Sequence, residues 1–167
     1  KIKVQPQILT YNQPITLESG TTLSKVDIAY NTFGELNADK SNVVWICHAF
    51  SANSNPTEWW PGMVGDGLFI DPKKYFIVCA NMLGSCYGTT GPLSINPETN
   101  KKYYKDFPVV TVRDMVQTLT ILRKYLGIEK IHFAAGFSMG GQQLLEWVIQ
   151  EPTIFENILL GATNIKH

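Results

Sequence analysis

The sequence predicts an α/β protein: a mostly parallel sheet with crossover helices and antiparallel strands at its N-terminal edge. Three observations carry this reading. Two short, nearly continuous apolar runs, "VVWIC" (43–47) and "YFIVCAN" (75–81), suit strands buried on both faces. A stretch from 111 to 127 has strong helical periodicity. Beyond it the pattern alternates strand, helix, strand, which requires parallel strands joined by crossovers.

The elements follow in order. "PITLESG" and "TTLSKVDIAYNTFGE" are extended runs meeting at Ser19-Gly20, and Val26, Ile28 and Tyr30 alternate with polar or small neighbours, so a hairpin with one solvated face is expected. After the polar "ELNADKSN" come the two apolar runs, each leading into a loop rich in Gly, Pro, Ser and Asn. Thr111 can cap a helix with Asp114 three residues on; Val112, Met115, Val116, Leu119, Leu122 and Leu126 share a face, and Gly127 suits a left-handed end. "KIHFAAG" then reads as a strand, "SMGGQQLLEWVIQ" as a helix stopped by Pro152, and "ENILLGAT" as a last strand. No repeat or low-complexity segment interrupts this order.

Composition narrows the function classes. Fourteen Lys and Arg balance fourteen Asp and Glu, so no net field draws the chain to nucleic acid or an anionic membrane. No apolar run approaches the roughly 18 residues of a membrane helix, and "KIKVQPQILTYNQ" lacks a signal-peptide core; a soluble, cytoplasmic protein is expected. Three cysteines, Cys47, Cys79 and Cys86, without a C-x-x-C pair fit reduced thiols, two of them inside strands, and give no metal site.

The chemistry centres on Gly136-Phe137-Ser138-Met139-Gly140, a G-x-S-x-G sequence with a strand before it and a helix after it. That context makes Ser138 the candidate nucleophile, because glycine on both sides permits a turn sharp enough to hold the hydroxyl above the sheet edge. The Met139 N–H, at the helix N-terminus, is one natural oxyanion donor, and the loop after "VVWIC" offers the other from Phe50 or Ala49. His48 is read as a hydrogen-bonded residue shaping that loop rather than as a base. His132, before the elbow, is expected to point into the sheet. In this architecture an acid and then a histidine follow the serine, yet after Ser138 there is no aspartate, the only histidine is His167, and Glu146, Glu151 and Glu156 lie on or just past the elbow helix. Residues 1–167 are therefore expected to be the N-terminal portion of a single larger domain, almost inactive alone and poorly soluble unless its open sheet edge is covered.

Four stretches, "HAFSANS" with "EWWPGMVGDG", "YFIVCANMLGSCYGTTGPLSINP", "VTVRDMVQTLTILRKYLGI" and "GFSMGGQQLLEW", resemble the N-terminal half of the homoserine O-acetyltransferase family, a branch of the α/β-hydrolase fold. The resemblance implies transfer of an acetyl or succinyl group from acetyl-CoA or succinyl-CoA, used as co-substrate with no bound cofactor or metal, to the hydroxyl of L-homoserine, a step towards methionine. It implies an acyl-enzyme on Ser138, with the N–H groups of Phe50 and Met139 holding the oxyanion. Asn81, Gly84 and Tyr87, in the loop at the carboxyl end of a central strand, are candidates for lining the mouth of the site. A homodimer is expected of the full-length protein. Phe50 departs from the leucine of many relatives, which would narrow the acyl pocket or change which acyl-CoA fits, and Phe137 sets a second aromatic beside the nucleophile. A serine esterase of the same fold, or an inactive fragment needing a complementary chain, are the alternatives.

Overall fold

The computed structural model describes residues 4–165. In chain order these form β1 (Gln7–Tyr11), β2 (Ile15–Thr16), β3 (Thr22–Leu23), β4 (Val26–Phe33), β5 (Val43–Cys47), α1 (Pro56–Trp59), β6 (Phe76–Ala80), β7 (Ile95–Asn96), β8 (Lys101–Lys102), α2 (Val112–Tyr125), β9 (Phe133–Phe137), α3 (Met139–Gln150) and β10 (Ile158–Gly161). The main sheet has the order β1-β4-β6-β5-β9-β10. β6, β5, β9 and β10 run parallel, while β1 and β4 join antiparallel at one edge, as expected.

The continuous apolar runs have a direct explanation. Val43, Trp45 and Cys47 face a core shared with α2 and α3, whereas Val44 and Ile46 face a second core with Val64, Ile70, Trp59 and Trp60. Both faces of β5 are therefore dry, and no polar position is tolerated. Trp45 and Trp147 meet edge to face at 5.0 Å, fastening α3 to the sheet centre. Helix α2 starts with the expected capping box between Thr111 and Asp114 and ends at Gly127, whose φ is +65°. The buried Asp114 carboxylate also accepts from the Glu18 N–H at 2.9 Å, tying the N-terminal segment to the helix.

Two expectations for the N-terminal third need correction. The hairpin at Ser19-Gly20 exists only as the two-residue pair β2–β3; the chain then turns, and Val26–Phe33, read as extended from the sequence, enters the main sheet between β6 and β1, and it is β1 that the sequence pattern did not reveal. Nor does β4 have a solvated face. Ala29 and Asn31, on the side opposite Val26, Ile28 and Tyr30, are buried as well. Gly88 lies over Ala29 so closely that an added Cβ would sit 3.0 Å from the Ala29 Cβ, and Asn31 accepts the Ser54 hydroxyl at 2.6 Å. Loops that reach this face from 23 residues along the chain at Ser54 and 59 at Gly88 cover it, which local alternation cannot anticipate.

Candidate active site

The site begins with strand register. Cys47, the last residue of β5, pairs with Gly136 near the end of β9, so the segments 48–50 and 137–139 leave the sheet side by side. Gly140 then brings α3 against that exit: a Cβ there would strike the carbonyls of Cys47 and His48. Gly136 is required for the same reason, since its Cβ would lie 2.7 Å from the Gly140 carbonyl oxygen. Between them Ser138 takes φ +52° and ψ −124°, a strained conformation for a residue with a side chain.

That strain leaves the serine exposed, and its hydroxyl has no hydrogen-bond partner among the described residues. Its backbone is held firmly. The Ser138 N–H donates to the Gly161 carbonyl at 3.1 Å, and the Ser138 carbonyl accepts from the N–H groups of Gly141 and Gln142 and from the Thr163 hydroxyl at 2.8 Å. The N–H groups of Met139 and Phe50 make no backbone or side-chain hydrogen bond among the described residues. The geometry thus sets an exposed hydroxyl beside two open N–H donors at adjoining strand ends.

Two hollows flank this point. Ser138 lines one of about 210 Å³ with Gln142, Ala162, Thr163 and Asn164. Met139 and Phe50 line a larger, more apolar one of about 530 Å³, with Gly84, Tyr87, Val110 and Met115 among its walls. Of the loop residues singled out in the sequence, Gly84 and Tyr87 reach this wall. Asn81 lies beneath it, buried, its side chain accepting from the Ser54 N–H at 2.8 Å and donating to the Ser54 hydroxyl and the Tyr87 carbonyl. Phe50 is 74% exposed at the cavity mouth. Phe137 does not crowd the serine: its ring packs edge to face on Trp60 at 4.8 Å and occupies the space where a Cβ at Gly161 would fall.

The titratable groups are otherwise committed. His48 is buried at the end of β5, and its Nδ1 lies 2.8 Å from the Ala49 carbonyl oxygen; since a carbonyl only accepts, Nδ1 carries the hydrogen. Burial holds its pKa below the ordinary value, so the ring is neutral, and its Nε2 has no partner among the described residues. His132 corrects an expectation. It precedes β9 instead of lying in it, its half-exposed ring stacks on Tyr75, and Nδ1 meets the Glu156 carboxylate at 2.9 Å. Glu146 pairs with Arg113, and Glu151 takes hydrogen bonds from Trp147, Thr120 and Arg123. Cys47 and Cys79 are buried, with the Cys47 thiol pushed up to about 12 by desolvation, whereas Cys86 is exposed. His167 lies outside the described residues. Among those described, no three His, Cys, Asp or Glu side chains could hold a metal ion, and no helix is long and apolar enough to cross a membrane.

Ser138, Met139 and Phe50, which the sequence pointed to, meet at these strand ends, whereas Thr163 and Trp60, which also pack here, were not singled out. The small polar run "GATN" at the end of β10 was the available signal for Thr163.

A serine at positive φ between a parallel strand and a helix, with open N–H groups from the neighbouring strand end, defines the elbow architecture of α/β enzymes that work through a serine. The chain belongs to the alpha/beta hydrolase fold family, whose model matches residues 42–165. It is 47% identical over 165 residues to a homoserine O-acetyltransferase of Cyclobacterium marinum, covering 99% of this chain and 47% of that protein. Among solved structures it is similar to a homoserine O-acetyltransferase from Bacillus anthracis, with TM-score 0.83 and 34% identity over 97% of this chain and 48% of that one. It is equally similar to esterase E22, with TM-score 0.83 and 32% identity over 94% of this chain and 47% of that one. The chain spans about half the length of the curated relatives it matches.

Proposed function

We propose that this chain supplies the nucleophile and oxyanion site of an acyltransferase that moves an acetyl or succinyl group from acyl-CoA to the hydroxyl of L-homoserine. The observation that carries the reading is Ser138 at φ +52°, exposed, with the unpaired N–H groups of Met139 and Phe50 beside it. The Ser138 hydroxyl attacks the thioester carbonyl, the oxyanion gathers the two N–H groups, and the CoA thiolate leaves with the serine's proton. Attack of the homoserine hydroxyl on the acyl-serine ester then releases the O-acyl product and restores the serine. The general base for both steps comes from outside the described residues, since His48 and His132 are both engaged elsewhere. The apolar cavity of about 530 Å³ beside Met139 suits an acyl donor, and the exposed Phe50 ring sets how much of it the acyl group can use.

Hydrolysis is the second reading, favoured by the similarity to esterase E22 and by the exposure of Ser138 to water. The test is intact mass of the full-length gene product after mixing with acetyl-CoA or succinyl-CoA, with and without homoserine, with Ser138→Ala as control. An adduct absent from the variant and discharged by homoserine supports transfer and names the donor. Discharge at the same rate without homoserine supports hydrolysis, and no adduct with either donor overturns both.

A further inference from the structure

Each open N–H at the site belongs to a peptide whose other end is gripped by a side chain. The Met139 N–H shares its peptide plane with the Ser138 carbonyl, which accepts the Thr163 hydroxyl at 2.8 Å. The Phe50 N–H shares its plane with the Ala49 carbonyl, which accepts the His48 Nδ1–H at 2.8 Å and the Ala52 N–H at 2.9 Å. In a planar trans peptide the carbonyl and the N–H point in opposite directions, so a side chain that fixes the first aims the second. We infer that Thr163 and His48 are positioning residues that aim the two oxyanion donors from the far side of their peptides, an inference that rests on the nucleophile reading above.

Further geometry supports it. Thr163 follows Ala162, whose φ of +47° is strained for alanine, so the loop after β10 is held in an unfavourable conformation that delivers the hydroxyl to Ser138. The Thr163 side chain also fills the space above Gly141, where a Cβ would lie 2.6 Å from its atoms, so the second glycine of "MGG" accommodates this threonine. Among the described residues His48 has no other polar partner: its Nε2 is buried and unpaired, and the ring's one hydrogen bond goes to Ala49. A hydrogen bond accepted at the carbonyl also polarises the peptide and strengthens its N–H as a donor.

The experiment measures the pre-steady-state acylation burst of the full-length gene product with p-nitrophenyl acetate, with melting temperature recorded in parallel. Thr163→Val, which keeps the shape and loses the donor, lowers the acylation rate on the order of tenfold, less than outright loss of an oxyanion donor, with KM unchanged. Thr163→Ser restores the rate. His48→Phe lowers it, and His48→Asn, whose Nδ2 stands where the imidazole Nδ1 stood, recovers it. A trifluoromethyl ketone, which forms a tetrahedral adduct on the serine, loses affinity by the same factor as the rate. Acylation lost in Ser138→Ala but unaltered in Thr163→Val would overturn this inference alone, as would equal rates for the valine and serine variants. Acylation that survives Ser138→Ala would overturn the nucleophile reading and this inference with it.

Discussion

Two glycine-rich loops leave the carboxyl ends of central strands, residues 81–91 after β6 and residues 136–141 around the end of β9, and they spend their polar groups in opposite ways. In the first, Asn81 gives its whole side-chain amide to Ser54 and Tyr87, Thr89 and Thr90 accept from the Ala29 and Asp27 N–H groups, and the Gly84 N–H reaches the Thr90 carbonyl. The loop acts as a continuation of β6 alongside β4. In the second, a serine is forced to positive φ, and among the described residues its hydroxyl and two neighbouring N–H groups have no partner. Each loop holds three glycines, Gly84, Gly88 and Gly91 in the first and Gly136, Gly140 and Gly141 in the second, so what sets the elbow apart is strain together with donors withheld from the protein. Two serines show the same contrast: Ser54 is buried and bonded on every side, whereas Ser138 is exposed and, among the described residues, bonded only through its backbone.

The largest expected effect separates activity from stability at the elbow. Ser138→Gly removes the hydroxyl and relieves the positive φ, so acylation falls by about a thousandfold or more while stability rises by about 1 kcal/mol, read by burst kinetics and urea denaturation. Gly140→Ala probes the close approach that builds the site. Alanine is ordinarily favoured over glycine in a helix by about 1 kcal/mol, but here its Cβ meets the Cys47 and His48 carbonyls, so a loss of about 2–3 kcal/mol is expected, with acylation impaired as well. In the satisfied loop the balance reverses. Asn81→Ala strands the buried Ser54 N–H and is expected to cost about 2 kcal/mol, with a smaller effect on the acylation rate than either elbow variant. Similar rate losses for Asn81→Ala and Gly140→Ala would break the contrast between the loops. Far from both, Glu156→Gln removes the carboxylate charge facing His132 while keeping an acceptor oxygen, and is expected to change stability by less than about 0.5 kcal/mol, because both side chains are nearly half exposed.

The sheet's central strands, α2 and α3 were legible because their signals are local: dry runs for strands dry on both faces, a capping box, and a helical face ending at Gly127. β1 was not legible, because "QILTY" is a half-polar edge that becomes a strand only when β4 offers a partner. The buried second face of β4 and the exposed position of His132 were misread for the same reason: each depends on segments distant in sequence, Gly88 and Ser54 in one case, Tyr75 and Glu156 in the other. At the site, Gly-x-Ser-x-Gly between strand and helix pointed to Ser138 and the Met139 N–H, and the loop after "VVWIC" to the N–H of Phe50 or Ala49. Thr163 was not singled out, because only the turn at Ala162, with φ +47°, brings its hydroxyl to the Ser138 carbonyl, and "GATN" hints at a loop without showing where it leads.

The account rests on Ser138 being the reactive hydroxyl, and the most direct measurement is peptide mapping of the full-length gene product after reaction with a fluorophosphonate. The account predicts one phosphonylated peptide, the one carrying Ser138, formed more slowly in Thr163→Val and absent in Ser138→Ala. Modification at another residue, or none at all, would contradict it.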